Sequence, residues 1–240
     1  MPNPLPRPDR LVLWDVDGTL VLAGPAAQTA FDLAVASVIG RAPGPHDVHM
    51  AGKTDPQIAL EILASMAISE PEARRRLPAV LEALEKELEA ATDLIREHGR
   101  VLPGAETVLR RLASDPRAVQ TVLAGNLAAN ARLKLAAFGL DRWVDLELGA
   151  TGSDDGDRLA LVAVAMAKAK RRLGFAFEPQ QVWVVGDTPL DLITARAGGT
   201  RCLLVGTGRY GYQGLAGSGA DALLPDLADT EWVVAILTGP

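Results

Sequence analysis

Residues 11 to 22, with the sequence LVLWDVDGTLVL, constrain the fold of this chain more than any other stretch. The four apolar residues at its start carry no charge, which predicts a strand buried on both faces, as in a parallel sheet. Asp15 then falls at the carboxyl end of that strand, where open α/β sheets hold ligands. Asp15 and Asp17 would point the same way if the strand continued, because side chains alternate along it. Two carboxylates in one small space favour a divalent cation, or a division of labour between nucleophile and acid.

Gly18 and Thr19 complete this stretch. Gly18 permits a turn that a residue with a Cβ atom would resist, and Thr19 places a hydroxyl and a backbone N–H beside the aspartates. Another interpretation is a strand followed by a simple turn, because Asp-Gly is a common turn dipeptide. Such a turn does not require Asp15, so the chemical interpretation accounts for more of the stretch.

Beyond residue 101 the sequence alternates between helical patterns and short apolar runs, which is typical of a parallel sheet with crossovers. The strands are predicted at residues 119 to 123, 144 to 148, 182 to 185, 202 to 205 and 222 to 224. The helices are predicted at residues 105 to 113, 128 to 138, 159 to 173, 191 to 197 and 230 to 237.

The segment between the first strand and residue 101 favours helices throughout. They are predicted at residues 26 to 39, 57 to 66, from about 70, and 78 to 98. The sequence therefore predicts an α/β fold with a doubly wound, Rossmann-like parallel sheet formed by residues 1 to 22 and 101 to 240. An all-helical domain of residues 23 to 100 is inserted after the first strand.

A second acidic stretch, VWVVGDTPLD at residues 182 to 191, repeats the opening pattern of a buried strand followed by acids. If both strands are central and parallel, Asp187 lies at the same end of the sheet as Asp15. The resulting oxygen-rich cluster suits Mg²⁺. Capping of the following helix is the alternative, but it explains one aspartate and not both Asp187 and Asp191.

The stretches DVDGT and GDTPLD resemble the first and fourth signatures of the haloacid dehalogenase-like hydrolase superfamily, closest to its phosphoglycolate phosphatase-like branch with a helical cap. The resemblance implies that Asp15 attacks phosphorus and that Asp17 serves as acid and base. It also implies a Mg²⁺ site formed by Asp15, the backbone carbonyl of Asp17 and Asp187, with Asp191 in support. The expected activity is hydrolysis of a small phosphorylated metabolite through an aspartyl-phosphate.

The second signature of that family ends its strand with Ser or Thr, but this chain has Ala124. Gly125 and Asn126 match relatives that read Thr-Gly-Asn, and their N–H groups could hold an anion. With Gly18 and Thr19 they are the predicted phosphate-binding residues. The missing hydroxyl keeps open a phosphate-binding protein with weak catalysis, and a sugar-phosphate mutase of the same fold is a further alternative.

Two cations are candidates for contacting substrate. Arg158 occupies the place of the third signature's cation, although it could instead be a surface partner of Asp154, Asp155 or Asp157. Lys53 lies in a Gly-Lys-Thr-Asp segment that resembles a cap loop closing over substrate, and an ordinary helix-entry loop is the alternative.

Composition narrows the choice of partners. The net charge of −6 argues against nucleic acid, and no apolar stretch approaches the roughly 20 residues that span a bilayer. A single cysteine, Cys202, agrees with a reducing compartment, so we expect a cytoplasmic protein without membrane or nucleic-acid partners. A monomer and a homodimer are equally compatible with the sequence.

Overall fold

The computed structural model describes residues 7 to 239, so the first six residues and the last residue of the predicted sheet domain lie outside it. The strands in chain order are β1 (Arg10–Trp14), β2 (Val21–Leu22), β3 (Arg100–Val101), β4 (Ala118–Ala124), β5 (Ala150–Thr151), β6 (Val182–Gly186), β7 (Arg201–Val205) and β8 (Ala222–Leu224). Six of them form one sheet in the order β5-β4-β1-β6-β7-β8, and all neighbours are parallel.

The helices in chain order are α1 (Ala26–Ile39), α2 (Asp55–Ser65), α3 (Glu70–Ala90), α4 (Thr92–His98), α5 (Ala105–Ala113), α6 (Ala128–Ala137), α7 (Leu161–Leu173), α8 (Pro189–Ala197), α9 (Gly211–Leu215) and α10 (Thr230–Thr238). Helices α5 and α10 cover one face of the sheet, and α7 and α8 cover the other. The predicted α/β fold with a doubly wound parallel sheet is confirmed.

Strand β1 is central because its side chains are apolar on both faces. Val12 and Trp14 belong to the apolar cluster on one face, and Leu11 and Leu13 belong to the cluster on the other. All four are fully buried. Helices on both faces of a parallel sheet require such uninterrupted apolar strands, which is why this run was recognisable.

The first four helices form the inserted cap, and the described residues between β2 and β3 contain no strand. Their apolar faces pack on one another in a cluster that includes Phe31, Ile62 and Leu84. The chain enters and leaves the cap through β2 and β3, which pair antiparallel. The sequence did not predict this two-stranded ribbon, because two-residue strands are too short to give a period.

Two predicted elements differ from the structure. The strand predicted at residues 144 to 148 is wrong: Leu146–Leu148 form a 3-10 turn, and β5 follows them. The predicted helix start at residue 78 is also wrong, because α3 runs through Pro78 from Glu70. Proline removes one helical hydrogen bond and bends a helix, but it does not always end one.

Candidate active site

The carboxyl ends of three neighbouring strands meet at one cavity. Asp15 follows β1, Gly125 and Asn126 follow β4, and Asp187 follows β6. All four residues line a cavity of about 350 Å³ that also touches the cap. The crevice at the carboxyl ends of parallel strands is the usual ligand site of open α/β sheets.

Three buried aspartates gather at the floor of this cavity. Asp15, Asp187 and Asp191 each offer an oxygen, and these oxygens lie within 4.8 Å of one another. Asp191 is already fully engaged, because one oxygen accepts hydrogen bonds from the Thr188 N–H and hydroxyl while the other pairs with Arg158. Asp15 and Asp187 are therefore the members with oxygens available to a cation.

Burial and the closeness of the three acids disfavour their ionised forms. Desolvation raises the pKa of Asp15 to about 7, although the positive charge of Arg158 opposes the shift. Desolvation and the charges of Asp15 and Asp191 raise the pKa of Asp187 to about 9. A divalent cation with oxygen ligands would relieve this repulsion, so the donor set fits Mg²⁺.

Arg158 lies inside the site and not at the surface. Its side chain is 2% exposed, and one terminal nitrogen donates to Asp15 over 2.8 Å and also pairs with Asp191. Its Nε is buried without a hydrogen-bond partner among the described residues. The alternative that Arg158 pairs with an acid at the surface is therefore wrong. The N–H group at its Nε has no acceptor among the described residues.

Asp17 lines the same cavity but has hydrogen-bond partners of its own. Its Oδ2 accepts a hydrogen bond of 3.0 Å from the side-chain amide of Asn126 and pairs with the ammonium of Lys134. Lys134 is buried, which alone would lower its pKa, but the charges of Asp17 and Asp55 outweigh that effect and raise it. The two aspartates of the first motif thus have different partners, Arg158 for Asp15 and Lys134 for Asp17.

A family model for haloacid dehalogenase-like hydrolases matches residues 10 to 199. The match extends over more than half of the chain. The chain belongs to the haloacid dehalogenase-like hydrolase family. A comparison with curated proteins found no significant sequence match.

Solved structures of similar fold match this hydrolase over almost its whole length. A predicted phosphatase from Clostridium acetobutylicum is 17% identical with a TM-score of 0.69, and the match covers 95% of this chain and 99% of that one. A predicted phosphoglycolate phosphatase from Haemophilus somnus is 19% identical with a TM-score of 0.65, covering 96% and 99%. CbbY from Rhodobacter sphaeroides, solved in complex with phosphate, is 19% identical with a TM-score of 0.61, covering 92% and 95%. At these identities the likeness shows the fold.

Two glycines of this hydrolase let the backbone approach Asp187. Gly18 has a φ of +91°, and a Cβ atom built on it would lie 2.5 Å from an oxygen of Asp187. A Cβ on Gly208, in the loop after β7, would collide with the same carboxylate. Only glycine fits at Gly18, since both its conformation and its space exclude other residues.

The loop before α2 forms several hydrogen bonds between the cap and the sheet domain, beside the packing of α3 and α4 on α6. The Asp55 N–H donates to the carbonyl oxygen of Gly125 over 2.7 Å, and the Thr54 hydroxyl donates to the carbonyl of Gly156 over 2.6 Å. The Asp55 carboxylate accepts hydrogen bonds from the Leu127 N–H at 2.7 Å and the Asn130 side chain at 3.1 Å. Thr54 also caps α2, so the helix-entry interpretation of this segment is correct, whereas its closing over substrate stays a prediction.

Four of the five residues predicted to bind substrate line the cavity, and Thr19 does not. Gly18, Gly125, Asn126 and Lys53 line the cavity, and Lys53 also pairs with Glu61 at 2.5 Å. Thr19 is fully buried, and its hydroxyl donates to Asp187 over 3.1 Å instead of facing the cavity.

Two functional candidates escaped the sequence analysis, namely Lys134 and the Asp55 carboxylate. A lysine within a helix is normally exposed, and an aspartate at a helix start is normally explained by capping. The signal for Lys134 was its position on α6, two helical turns beyond Asn126.

The N–H groups at the start of α6 have hydrogen-bond partners within the protein. The N–H groups of Leu127 and Ala128, at the start of α6, are engaged by Asp55 and Ser153. Any anion bound by this loop would therefore meet the preceding residues Gly125 and Asn126.

Among the described residues, no helix combines the length and the apolar character needed to cross a bilayer.

Proposed function

We propose that this hydrolase cleaves small phosphomonoesters with the help of bound Mg²⁺, as a phosphoglycolate phosphatase-like enzyme. The observation that carries the proposal is the separation of the two acids, with Asp15 beside Arg158 and Asp187, and Asp17 beside Lys134 and Asn126. A nucleophile and a proton donor need such different surroundings.

Asp15, Asp187 and the backbone carbonyl of Asp17 are the groups that would hold the ion. Bound there, Mg²⁺ supplies positive charge that offsets the negative charge of the phosphoryl oxygens. Asp191 orients Arg158 and caps α8 through its bonds to Thr188, and it therefore supports the site without serving as a ligand.

The proposed chemistry has two steps at Asp15. The Asp15 carboxylate attacks phosphorus and forms an acyl phosphate, while the bond from phosphorus to the alcohol oxygen breaks and that oxygen takes a proton from Asp17. Asp17 then removes a proton from water, which attacks phosphorus and releases inorganic phosphate, and the Asp15 carboxylate is restored. Lys134 and Asn126 fix the orientation of Asp17 throughout.

Arg158 and the loop after β4 are the proposed contacts of the phosphoryl oxygens. Arg158 lines the cavity together with Gly125 and Asn126, and a Cβ atom built on Gly125 would lie 3.0 Å from the Nη1 nitrogen of Arg158. Lys53 reaches the cavity from the cap and is a proposed substrate contact on that side.

The test is hydrolysis of p-nitrophenyl phosphate with Mg²⁺ and with EDTA, by the parent protein, by Asp15→Asn, and by the control Asp141→Asn, which is half-buried and lies outside the cavity lining. The proposal expects turnover that requires Mg²⁺, survives in Asp141→Asn and is lost in Asp15→Asn. Equal rates for the parent and Asp15→Asn across a panel of phosphomonoesters would refute it. Phosphate binding without turnover would favour the binding protein that Ala124 suggests, and a requirement for a sugar bisphosphate would reveal a mutase.

A further inference from the structure

The cavity above the aspartates extends into the cap. Its lining includes one side chain from each of three cap helices, Phe31 of α1, Ile58 of α2 and Leu88 of α3. Each is at most 3% exposed and belongs to the apolar cluster of the cap. We define the apolar recess as the part of the cavity lined by these three residues together with Leu22, Ala27 and Met50.

The positive charges of the cavity lie elsewhere. Arg158 and Lys134 are paired with the aspartates of the site, and Lys53 is paired with Glu61. Arg100 and Arg209 also line the cavity and have no carboxylate partner among the described residues, but both are exposed. Exposed guanidinium groups bind anions weakly, because water competes and salt screens the charge. The buried part of the cavity is therefore suited to an apolar group and not to a second anion.

We propose that the apolar recess binds the leaving group, so that the preferred substrates are monophosphates of apolar alcohols several carbons long. This inference rests on the proposed phosphatase function and narrows its substrate class to apolar esters, away from esters that carry a carboxylate as phosphoglycolate does. An apolar ligand part that enters a preformed apolar recess gains by leaving water, whereas a hydroxyl or carboxylate placed there would lose its hydration without a partner. The phosphoryl group meanwhile lies at Asp15 and Arg158.

The first experiment measures kcat/KM for ethyl, butyl and hexyl phosphate, and for 6-hydroxyhexyl and 5-carboxypentyl phosphate as polar counterparts of the longest ester. The proposal expects kcat/KM to rise by about fourfold for each added methylene until the recess is filled. It expects both polar counterparts to be at least tenfold poorer than hexyl phosphate. A flat dependence on chain length, or a preference for the carboxylate ester, would overturn it, and the latter would assign Arg100 or Arg209 to a second anion.

The second experiment fills the recess. Ala27→Leu places a larger side chain in the lining, and leucine is a good helix former, so α1 should remain intact. The ratio of kcat/KM for hexyl phosphate to that for ethyl phosphate should fall at least tenfold. Ala64→Leu makes the same change at an exposed position of α2 and should leave the ratio as in the parent. An unchanged ratio in Ala27→Leu contradicts the assignment.

A binding measurement separates this inference from the proposed function. The affinities of ethyl, butyl and hexyl phosphonate, which cannot be hydrolysed, are measured by calorimetry with Mg²⁺ present. Tighter binding of the longer phosphonates supports the recess even if no ester is turned over, in which case the phosphatase proposal alone fails. Equal affinities, together with normal turnover of p-nitrophenyl phosphate, would leave the phosphatase standing and refute the recess.

Discussion

The Asp55 carboxylate of the cap accepts a hydrogen bond of 2.7 Å from the backbone N–H of Leu127, at the start of α6 in the sheet domain. The same carboxylate accepts a hydrogen bond from Asn130, and it is 3% exposed. Because this contact crosses from the cap to the loop that carries Asn126, it couples the position of the cap to the position of a catalytic-site residue.

Replacing Asp55 should loosen the cap. Asp55→Ala removes both hydrogen bonds to α6, and a lost charge-assisted bond is worth about 1.5 to 3 kcal/mol. We expect kcat/KM to fall by about 10- to 100-fold and the Leu127 amide to exchange its hydrogen faster. Hydrogen exchange read by mass spectrometry measures the second effect, with the exposed Asp47→Ala as control. Unaltered exchange at residues 125 to 130 would show that Asp55 does not hold the cap.

Lys134 should be needed for both stability and catalysis. Its buried ammonium neutralises Asp17 and lies near Asp55, so Lys134→Met leaves two carboxylates without their cation. We expect the free energy of unfolding to fall by about 2 to 4 kcal/mol, since removing one partner of a buried pair is strongly destabilising. Urea unfolding measures this free energy, and we expect kcat to fall as well. The exposed Lys170→Met is the control. Equal stability of the two variants would contradict the ion pair.

The raised pKa values of Asp15 and Asp187 predict how stability responds to pH. An acid whose pKa is raised from 3.8 to about 9, as for Asp187, holds its proton in the folded state while the unfolded state releases it. Without bound metal, the contribution of Asp187 to the free energy of unfolding is therefore present below about pH 4 and is lost as pH rises towards 9. Bound Mg²⁺ replaces the protons, so it should raise the Tm more at pH 8.5 than at pH 6.

Thermal unfolding with EDTA and with Mg²⁺ at these two pH values measures the effect. Asp187→Asn removes the titrating group and should remove most of the difference between the two pH values. A Tm increment from Mg²⁺ that is the same at pH 6 and pH 8.5 would contradict the assignment of this cluster as the cation site.

Ala124, at the end of β4, is fully buried in an apolar cluster of the sheet and does not line the cavity. A serine hydroxyl at this position would be buried among apolar side chains, so Ala124→Ser should not raise kcat and should lower the free energy of unfolding by about 1 to 3 kcal/mol. Steady-state kinetics and urea unfolding measure the two effects, with Ala124→Val as the variant that adds bulk without a hydroxyl. A rise in kcat of about tenfold for serine and not for valine would mean that the missing hydroxyl limits the enzyme.

The elements that the sequence predicted well have strong, local signals. Strands β1 and β6 are uninterrupted apolar runs that end in acids, and burial on both faces demands such runs. Strand β5 has two residues, whereas residues 144 to 148 before it alternate between apolar and acidic side chains as a strand does, so the strand was predicted there. Edge strands this short are defined by their partner, here the end of β4, and not by their own pattern.

The residues of the candidate site that were predicted from the sequence also have local signals, and those that were missed depend on distant contacts. Asp15, Asp17 and Asp187 stand next to strand ends, so their convergence followed from the topology of a parallel sheet. Lys134 and Asp55 contribute through contacts between residues that are 72 or more positions apart in sequence, such as Asp55 with Leu127 and Asn130. Such contacts depend on how the cap docks, and residue type alone assigns both to ordinary surface or capping roles.

In the proposed mechanism, Asp15 and Asp187 share one cation while Asp15 receives the phosphoryl group. A crystal structure of the protein with Mg²⁺ and beryllium fluoride, a mimic of an aspartyl-phosphate, would show both features together. We expect one ion about 2.1 Å from oxygens of Asp15 and Asp187, with beryllium bonded to the other oxygen of Asp15. An ion bound away from these aspartates, or an adduct on any other residue, would contradict it.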